Sequence, residues 1–163
     1  MLEVSPNGSP VVKHHEGDTV SFVTFEVARQ IFGVPVTKVQ DILTPDAIAP
    51  VPGGPAEVQG LINLRGRIVT VIDLRTRLGL AREEQTEGKR RGMCVTVEMD
   101  GESYTLFVDR VGDVITLPAA LREESPATLD TLWRDVSDGV FHSGDRLLVI
   151  LDVERLLAIR SKS

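Results

Sequence analysis

VTFEVARQIFGVPVTKVQDI, residues 23–42, decides how this chain folds, because its pattern returns later in the sequence. It lies without a gap over VTVEMDGESYTLFVDRVGDV, residues 95–114. The two stretches share Val23/Val95, Thr24/Thr96, Glu26/Glu98, Val36/Val108, Val39/Val111 and Asp41/Asp113. GLINLRGRIVTVIDLRTRL, residues 60–78, lies in the same way over GVFHSGDRLLVILDVERLL, residues 139–157. There Gly60/Gly139, Arg67/Arg146, Asp73/Asp152 and Leu78/Leu157 agree. Two similar halves met in the same order predict two similar small barrels or sheets related by a pseudo-twofold axis.

Within each half the elements are legible. Val23, Phe25 and Val27 alternate with Thr24 and Glu26, the period of a half-buried strand, and Val95, Val97 and Met99 repeat it. Asp100-Gly101 suits the positive φ angles of a tight hairpin. The returning strand carries Tyr104, Leu106 and Val108, matched by Phe32, Val34 and Val36. Pro35 points to an edge or a bulge, since it donates no ladder hydrogen bond. The spacing then opens to three (Val36, Val39, Ile42), the mark of a bend or a helical turn. Residues 44–57 are an irregular, proline-rich crossing, and the matching 118–138 region is longer, with room for a short helix. Ile68–Ile72 and Leu147–Leu151 are unbroken apolar runs, expected as strands covered on both faces. Each ends in an aspartate before a helical pattern, which places Asp73 and Asp152 as N-caps of short helices.

Four strands per half are visible, with room for a fifth, so the chain reads as mainly β. Residues 1–18 form a mobile lead-in and 19–163 one domain of two subdomains, about 19–85 and 86–163. Exchange between them is open, because Met93–Met99 follows the first half directly and is able to finish its sheet.

Composition narrows the function. At 42% apolar and 26% charged the chain is a folded domain and not a disordered one. A net charge of −6 argues against nucleic acid and anionic membranes, which draw on clustered basic residues. Lys89-Arg90-Arg91 follows Glu83, Glu84 and Glu87 and reads as a solvated connector. No apolar run is long enough to span a bilayer, no secretory leader is visible, and the lone Cys94 fits a reducing cytoplasm. His14, His15 and His142 make a poor metal set, so no metal and no cofactor are expected. Neither a nucleotide loop nor a nucleophile motif occurs, so no catalytic residue is assigned. Arg65 stands out, since the twin position is Gly144. One reading is a solvated turn arginine; the other is an arginine held by Asp41 to organise a binding surface.

VPVTKVQDIL followed by VQGLINLRGRIVTVIDLRTRLGL closely resembles the CheW-like domains of bacterial chemotaxis, with FVTFEV upstream and GDRLLVILDVERLL near the C-terminus. The resemblance spans roughly residues 20–158 and is most specific at Asn63-Leu64-Arg65-Gly66 and the V-x-D-L-R ending. It implies two SH3-like five-stranded β-barrels in pseudo-twofold arrangement, with short helices after Asp73 and Asp152. It also implies a cytoplasmic, non-catalytic adaptor recruited to membrane receptor arrays. Such an adaptor bridges the helical tip of a methyl-accepting chemoreceptor to the regulatory domain of a CheA-type histidine kinase.

The receptor tip is then expected in an apolar groove between the subdomains, at Val39, Asp41, Gly60, Leu64, Arg65, Gly66 and Met93. The family usually has glutamate where this chain has Asp41, so pairing with Arg65 asks for a backbone shift or a bridging water. A kinase contact falls near Arg122 to Thr128. Two other readings stay open: an adaptor of a non-flagellar sensory cluster serving pili or gene expression, and a small enzyme with its site at the seam.

Overall fold

The computed structural model of the protein describes residues 18–45, 47–80 and 92–158. The connector from 81, all but the last residue of the lead-in, and Lys89-Arg90-Arg91 lie outside the described residues. Ten strands alternate with short turns: β1 (Thr19–Val27), β2 (Gln30–Pro35), β3 (Val39–Leu43), β4 (Val58–Leu64) and β5 (Arg67–Asp73) in the first half. The second half carries β6 (Met93–Met99), β7 (Glu102–Val108), β8 (Arg110–Pro118), β9 (Ser137–Ser143) and β10 (Arg146–Leu151). Three one-turn helices follow aspartates: α1 (Leu74–Arg77), α2 (Thr131–Asp135) and α3 (Val153–Leu156).

The strands form two five-stranded sheets, ordered β8-β1-β2-β10-β9 and β3-β6-β7-β5-β4. Substituting each strand by its twin converts one order into the other, so the repeat in sequence is a repeat in space. Neither sheet is made from one half of the chain. Each takes two strands from one half and three from the other, and Met93–Met99 does pair with β3 of the first half. The exchange makes each half's hairpin the centre of a sheet that the opposite half completes.

Closed barrels are replaced by curled sheets. Beyond edge strand β3, Ala49 exchanges hydrogen bonds of 2.9 and 2.8 Å with Leu61 on the opposite edge strand β4. Beyond β8, Glu123 does the same with Val140 on β9, at 2.9 and 2.8 Å. One bridge per sheet thus stands where a barrel would have a full ladder. The duplicated glycines sit at these bridges. A Cβ on Gly60 would collide with the Ala49 carbonyl oxygen, and one on Gly139 would come within 2.9 Å of the Glu123 oxygen.

Three apolar clusters hold the sheets. One lies inside the first sheet (Phe22, Phe141, Leu148, Ile150) and one inside the second (Ile62, Val69, Val71, Cys94, Phe107). The third and largest joins the sheets, with Phe25, Phe32 and Val34 from one meeting Val95, Val97 and Leu106 from the other. Central strands are therefore buried on both faces, which corrects the half-buried expectation for β1 and β6. Thr24 and Thr96 are buried with their apolar neighbours, each spending its hydroxyl internally: Thr24 on the Asp113 carbonyl at 2.7 Å, Thr96 with Thr105 at 2.9 Å.

Other expectations fare variously. Asp73 Oδ1 accepts from the Arg75 amide at 3.1 Å and Asp152 Oδ1 from the Arg155 amide at 3.2 Å, so both are caps. Asp100 and Gly101 have φ of 53° and 82°, the mirror-image turn their residue types favour. Residues 36–38 form a 3-10 turn after Pro35. Pro35 itself ends an internal strand; it does no harm there because β10 pairs with β2 only at Ile31–Gly33. Ile68 is 65% exposed at a hairpin tip, so the doubly covered part of β5 begins at Val69. No helix among the described residues is long and apolar enough to cross a membrane.

Candidate functional site

β4 and β5 are joined by the two-residue turn Arg65-Gly66, with φ of 54° and 85°. The Gly66 amide donates to Asn63 Oδ1 at 2.9 Å, an Asn side chain closing the turn. A left-handed arginine is unusual, and it swings the guanidinium sideways toward edge strand β3. There the ladder carries a bulge: Val39 faces Val97 and Asp41 faces Thr96, so Gln40 and Asp41 together oppose one residue. Bulges bend a strand and re-aim its side chains. With the left-handed turn on one side and the bulge on the other, Arg65 Nη2 meets Asp41 Oδ2 directly at 2.6 Å. Arg65 is thus both a turn arginine largely exposed to solvent and an arginine held by Asp41. Asp41 is anchored further by accepting the Ile42 amide on Oδ1 at 2.9 Å.

Around this pair lies a cleft of about 400 Å³ lined by Gln40, Asp41, Leu64, Arg65, Arg67, Val69 and Ser103. Leu64 and Val69 form its apolar floor and belong to the interior cluster of the second sheet. Ser103 donates to Gln40 Oε1 at 2.6 Å, tying β7 across to the bulge. Arg65 keeps 74% of its side chain exposed while Asp41 keeps 21%, so the acid is fixed and the base is presented. The pair adds little stability, since an exposed ion pair contributes about 0–1 kcal/mol; its effect is to orient a five-donor group.

The expected residues divide. Asp41, Leu64 and Arg65 line the cleft, Gly66 completes its turn, and Val39 begins the same strand. Gly60 is four residues away along β4, roughly 13 Å at strand rise, and is buried at the Ala49 bridge. Met93 lies at the far end of β6, where its sulfur meets Thr44 Oγ1 at 3.8 Å. Between the two sheets lies the joint core, against which Val39 and Met93 pack. The cleft lies on the second sheet, lined from β3, β4, β5, their turn and β7. Gln40, Arg67, Val69 and Ser103 are lining residues that sequence reading passed over. Arg67 carried a signal, being identical to Arg146 in the repeat; Gln40 carried none, because a bulge puts it there, and Ser103 reaches the cleft through its hydrogen bond to Gln40.

Near the other sheet's closure, Arg122 pairs with Asp138 at 3.3 Å and lines a second cleft of about 390 Å³ with Glu123, Glu124, Ser125, Ser137 and Gly139. Thr128 lies exposed on the turn beyond it.

Comparison with known proteins agrees with this architecture. The profile of the CheW-like domain matches residues 21–161. The chemotaxis protein CheW of Klebsiella aerogenes is 30% identical over 156 residues, covering 93% of this chain and 90% of that protein. The CheW of Bacillus subtilis is 33% identical over 138 residues, covering 83% and 85%. The crystal structure of the scaffolding protein TtCheW from Thermoanaerobacter tengcongensis superposes with a TM-score of 0.76 at 27% identity, over 89% of this chain and 97% of that one. With the duplicated sheets, the Asn63–Gly66 turn and these likenesses together, the chain belongs to the CheW-like family.

Proposed function

We propose that this protein is a chemotaxis adaptor that couples methyl-accepting chemoreceptors to a CheA-type histidine kinase without catalysing a reaction itself. The cleft at Asp41 and Arg65 receives the helical tip of the receptor, with Leu64 and Gly66 beside it and Val39 at the rim. A separate surface near Arg122 and Thr128 meets the regulatory domain of the kinase. The adaptor works in the cytoplasm and reaches the membrane only through the receptors it binds.

The observation that carries this reading is the direct 2.6 Å pair between Asp41 and Arg65, set over an apolar floor in a CheW-like fold. Apolar floors with a presented charge accept amphipathic helices, which lay one face into such a surface. Small interfaces of this kind bind moderately, and repetition in an array supplies the rest through avidity.

Calorimetric titration with a soluble receptor-tip hairpin, and co-sedimentation with the kinase regulatory domain, test the two contacts separately. Arg65→Ala should weaken receptor-tip binding about tenfold, the scale of an interfacial arginine anchor. Its thermal midpoint should stay within about 2 °C of the parent, because the side chain is exposed. An unchanged affinity would remove Arg65 from the receptor site. Gly60 is a poor probe of the same surface, since any side chain there acts on the Ala49 bridge first.

A further inference from the structure

The two halves spend one shared arginine differently. In the second half Arg146 donates from Nη2 to the Arg29 carbonyl at 3.1 Å, stapling its hairpin to the β1–β2 turn. In the first half the twin of Arg29 is Gly101, and the Arg67 side chain makes no hydrogen bond or ion pair among the described residues. Arg67 lines the cleft beside Arg65 instead, and Asp41 is the one carboxylate in that lining. Two guanidinium groups against one carboxylate leave a positive charge uncompensated, on a chain whose net charge is −6. Arg65 commits Nη2 to Asp41 and leaves its remaining donors toward solvent.

We propose that Arg67, with the outward face of Arg65, captures a carboxylate on the incoming helix and so decides which helices the cleft accepts. The inference rests on the receptor-tip reading of this cleft. A planar guanidinium holds a carboxylate through two parallel N–H bonds, and two guanidinium groups over an apolar floor fix its position as well as its charge. The fitting helix carries an aspartate or glutamate three or four residues from an apolar side chain, so that both project from one face. The apolar residue rests on Leu64 and Val69 while the acid reaches the arginines. Asp41 contributes specificity by repulsion, turning away a second acid placed on its side of the cleft.

The experiment is calorimetric titration of the full chain with a receptor-tip helical hairpin at low and high salt. The parent, Arg67→Gln, Arg67→Glu and Arg65→Ala are compared, together with hairpins in which each acidic residue is changed in turn to lysine. Arg67→Gln should weaken binding about threefold to tenfold and flatten its salt dependence, and Arg67→Glu should weaken it further. One acid-to-lysine hairpin should bind the parent poorly and Arg67→Glu better than the original hairpin does. If Arg67→Glu binds within about twofold of the parent at low salt while Arg65→Ala still loses affinity, the carboxylate capture is wrong and the receptor-tip site stands. If neither arginine matters, or the parent does not bind the hairpin, the receptor-tip reading fails and this inference with it. Thermal unfolding reports whether each variant folds; should Arg67→Glu fold poorly, Arg67→Gln and the lysine hairpins decide the matter.

Discussion

The interiors of the two sheets occupy matching positions in the repeat with different side chains. Phe22, Phe141, Leu148 and Ile150 fill the first sheet; Cys94, Ile62, Val69 and Val71 stand at the same four places in the second. The second set is smaller, and Phe107 from β7 makes up part of the volume. The cleft is on the side of the smaller set. Its lining of Gln40, Asp41, Leu64, Arg65, Arg67, Val69 and Ser103 maps onto Gly112, Asp113, Ser143, Gly144, Arg146, Leu148 and Ile31. Only the aspartate and one arginine are common to both. The scaffold, bulge and turn occur twice, and divergence at a few positions leaves the paired arginine and its cleft in one copy.

If the closures are equivalent parts of that scaffold, they should fail unequally for a reason visible in their neighbours. A Cβ on Gly60 meets the Ala49 carbonyl oxygen and Ile48 Cγ2, the latter at 2.7 Å, and backbone cannot step aside cheaply. A Cβ on Gly139 meets Arg122 Cδ at 2.8 Å, the movable stem of a long side chain, besides the Glu123 oxygen at 2.9 Å. Gly60→Ala should therefore cost about 3 kcal/mol and Gly139→Ala about 1–2 kcal/mol, within the range for overpacking and left-handed strain. Urea unfolding monitored by circular dichroism separates them. Equal losses would show that the two bridges are held alike and that carbonyl crowding does not govern the cost.

Much of this scaffold was legible from residues. The repeat gave the pseudo-twofold, the aspartates gave the caps, and Asp100-Gly101 gave a turn, because each rests on local chemistry of particular side chains. Ala28-Arg29 makes the same left-handed turn, with φ of 52° and 71°, and nothing in those residue types announces it. It is held from outside, by Asp109 Oδ2 accepting the Ala28 amide at 2.8 Å while Arg75 grips the same carboxylate at 2.7 Å. The burial of both faces of β1 was hidden for a related reason. Thr24 looks like a surface residue until its partner, the Asp113 carbonyl, arrives from the other half. Arg65 and Asp41 were visible as departures and matches within the repeat. The rest of the cleft was not, since it forms where the β3 bulge, the β4–β5 turn and Ser103 of β7 come together from distant parts of the chain.

The contrast between the two interiors has an alkaline signature. Where the first sheet has Phe22, the second has Cys94, fully buried, and burial pushes its thiol up to about 11. A thiol whose pKa is higher folded than unfolded stabilises the fold below the unfolded value and loses that contribution as pH climbs through the folded one. Stability should thus fall between about pH 9 and pH 11, by roughly 2 kcal/mol if the full shift is expressed. Tyr104, raised by its hydrogen bond to Glu102, adds in the same direction. Cys94→Ala should begin less stable at pH 7 for lack of packing and then show a shallower alkaline decline. Unfolding curves at pH 8, 9, 10 and 11 measure this. A decline in Cys94→Ala as steep as the parent's would assign it to other groups.

The smallest effect tests whether an arginine alone makes a site. Gly144 has φ of 65°, close to the 54° of Arg65, and nothing stands within 4 Å of a Cβ there. Gly144→Arg should therefore be tolerated, at a cost of about 1 kcal/mol for a left-handed residue with a side chain. Asp113 occupies the twin bulge, where Val111 faces Phe25 and Val114 faces Val23, so a carboxylate stands in the same relation to the turn as Asp41 does. An ion pair copied in this way still lacks the rest of the lining: Leu148 and Ile31 replace Val69 and Ser103, and Arg146 stays committed to Arg29. Titration with the receptor-tip hairpin should keep a stoichiometry of one, with affinity unchanged. A second equivalent bound by Gly144→Arg would mean that the pair of charges suffices and that the lighter interior of the second sheet has no part in recognition.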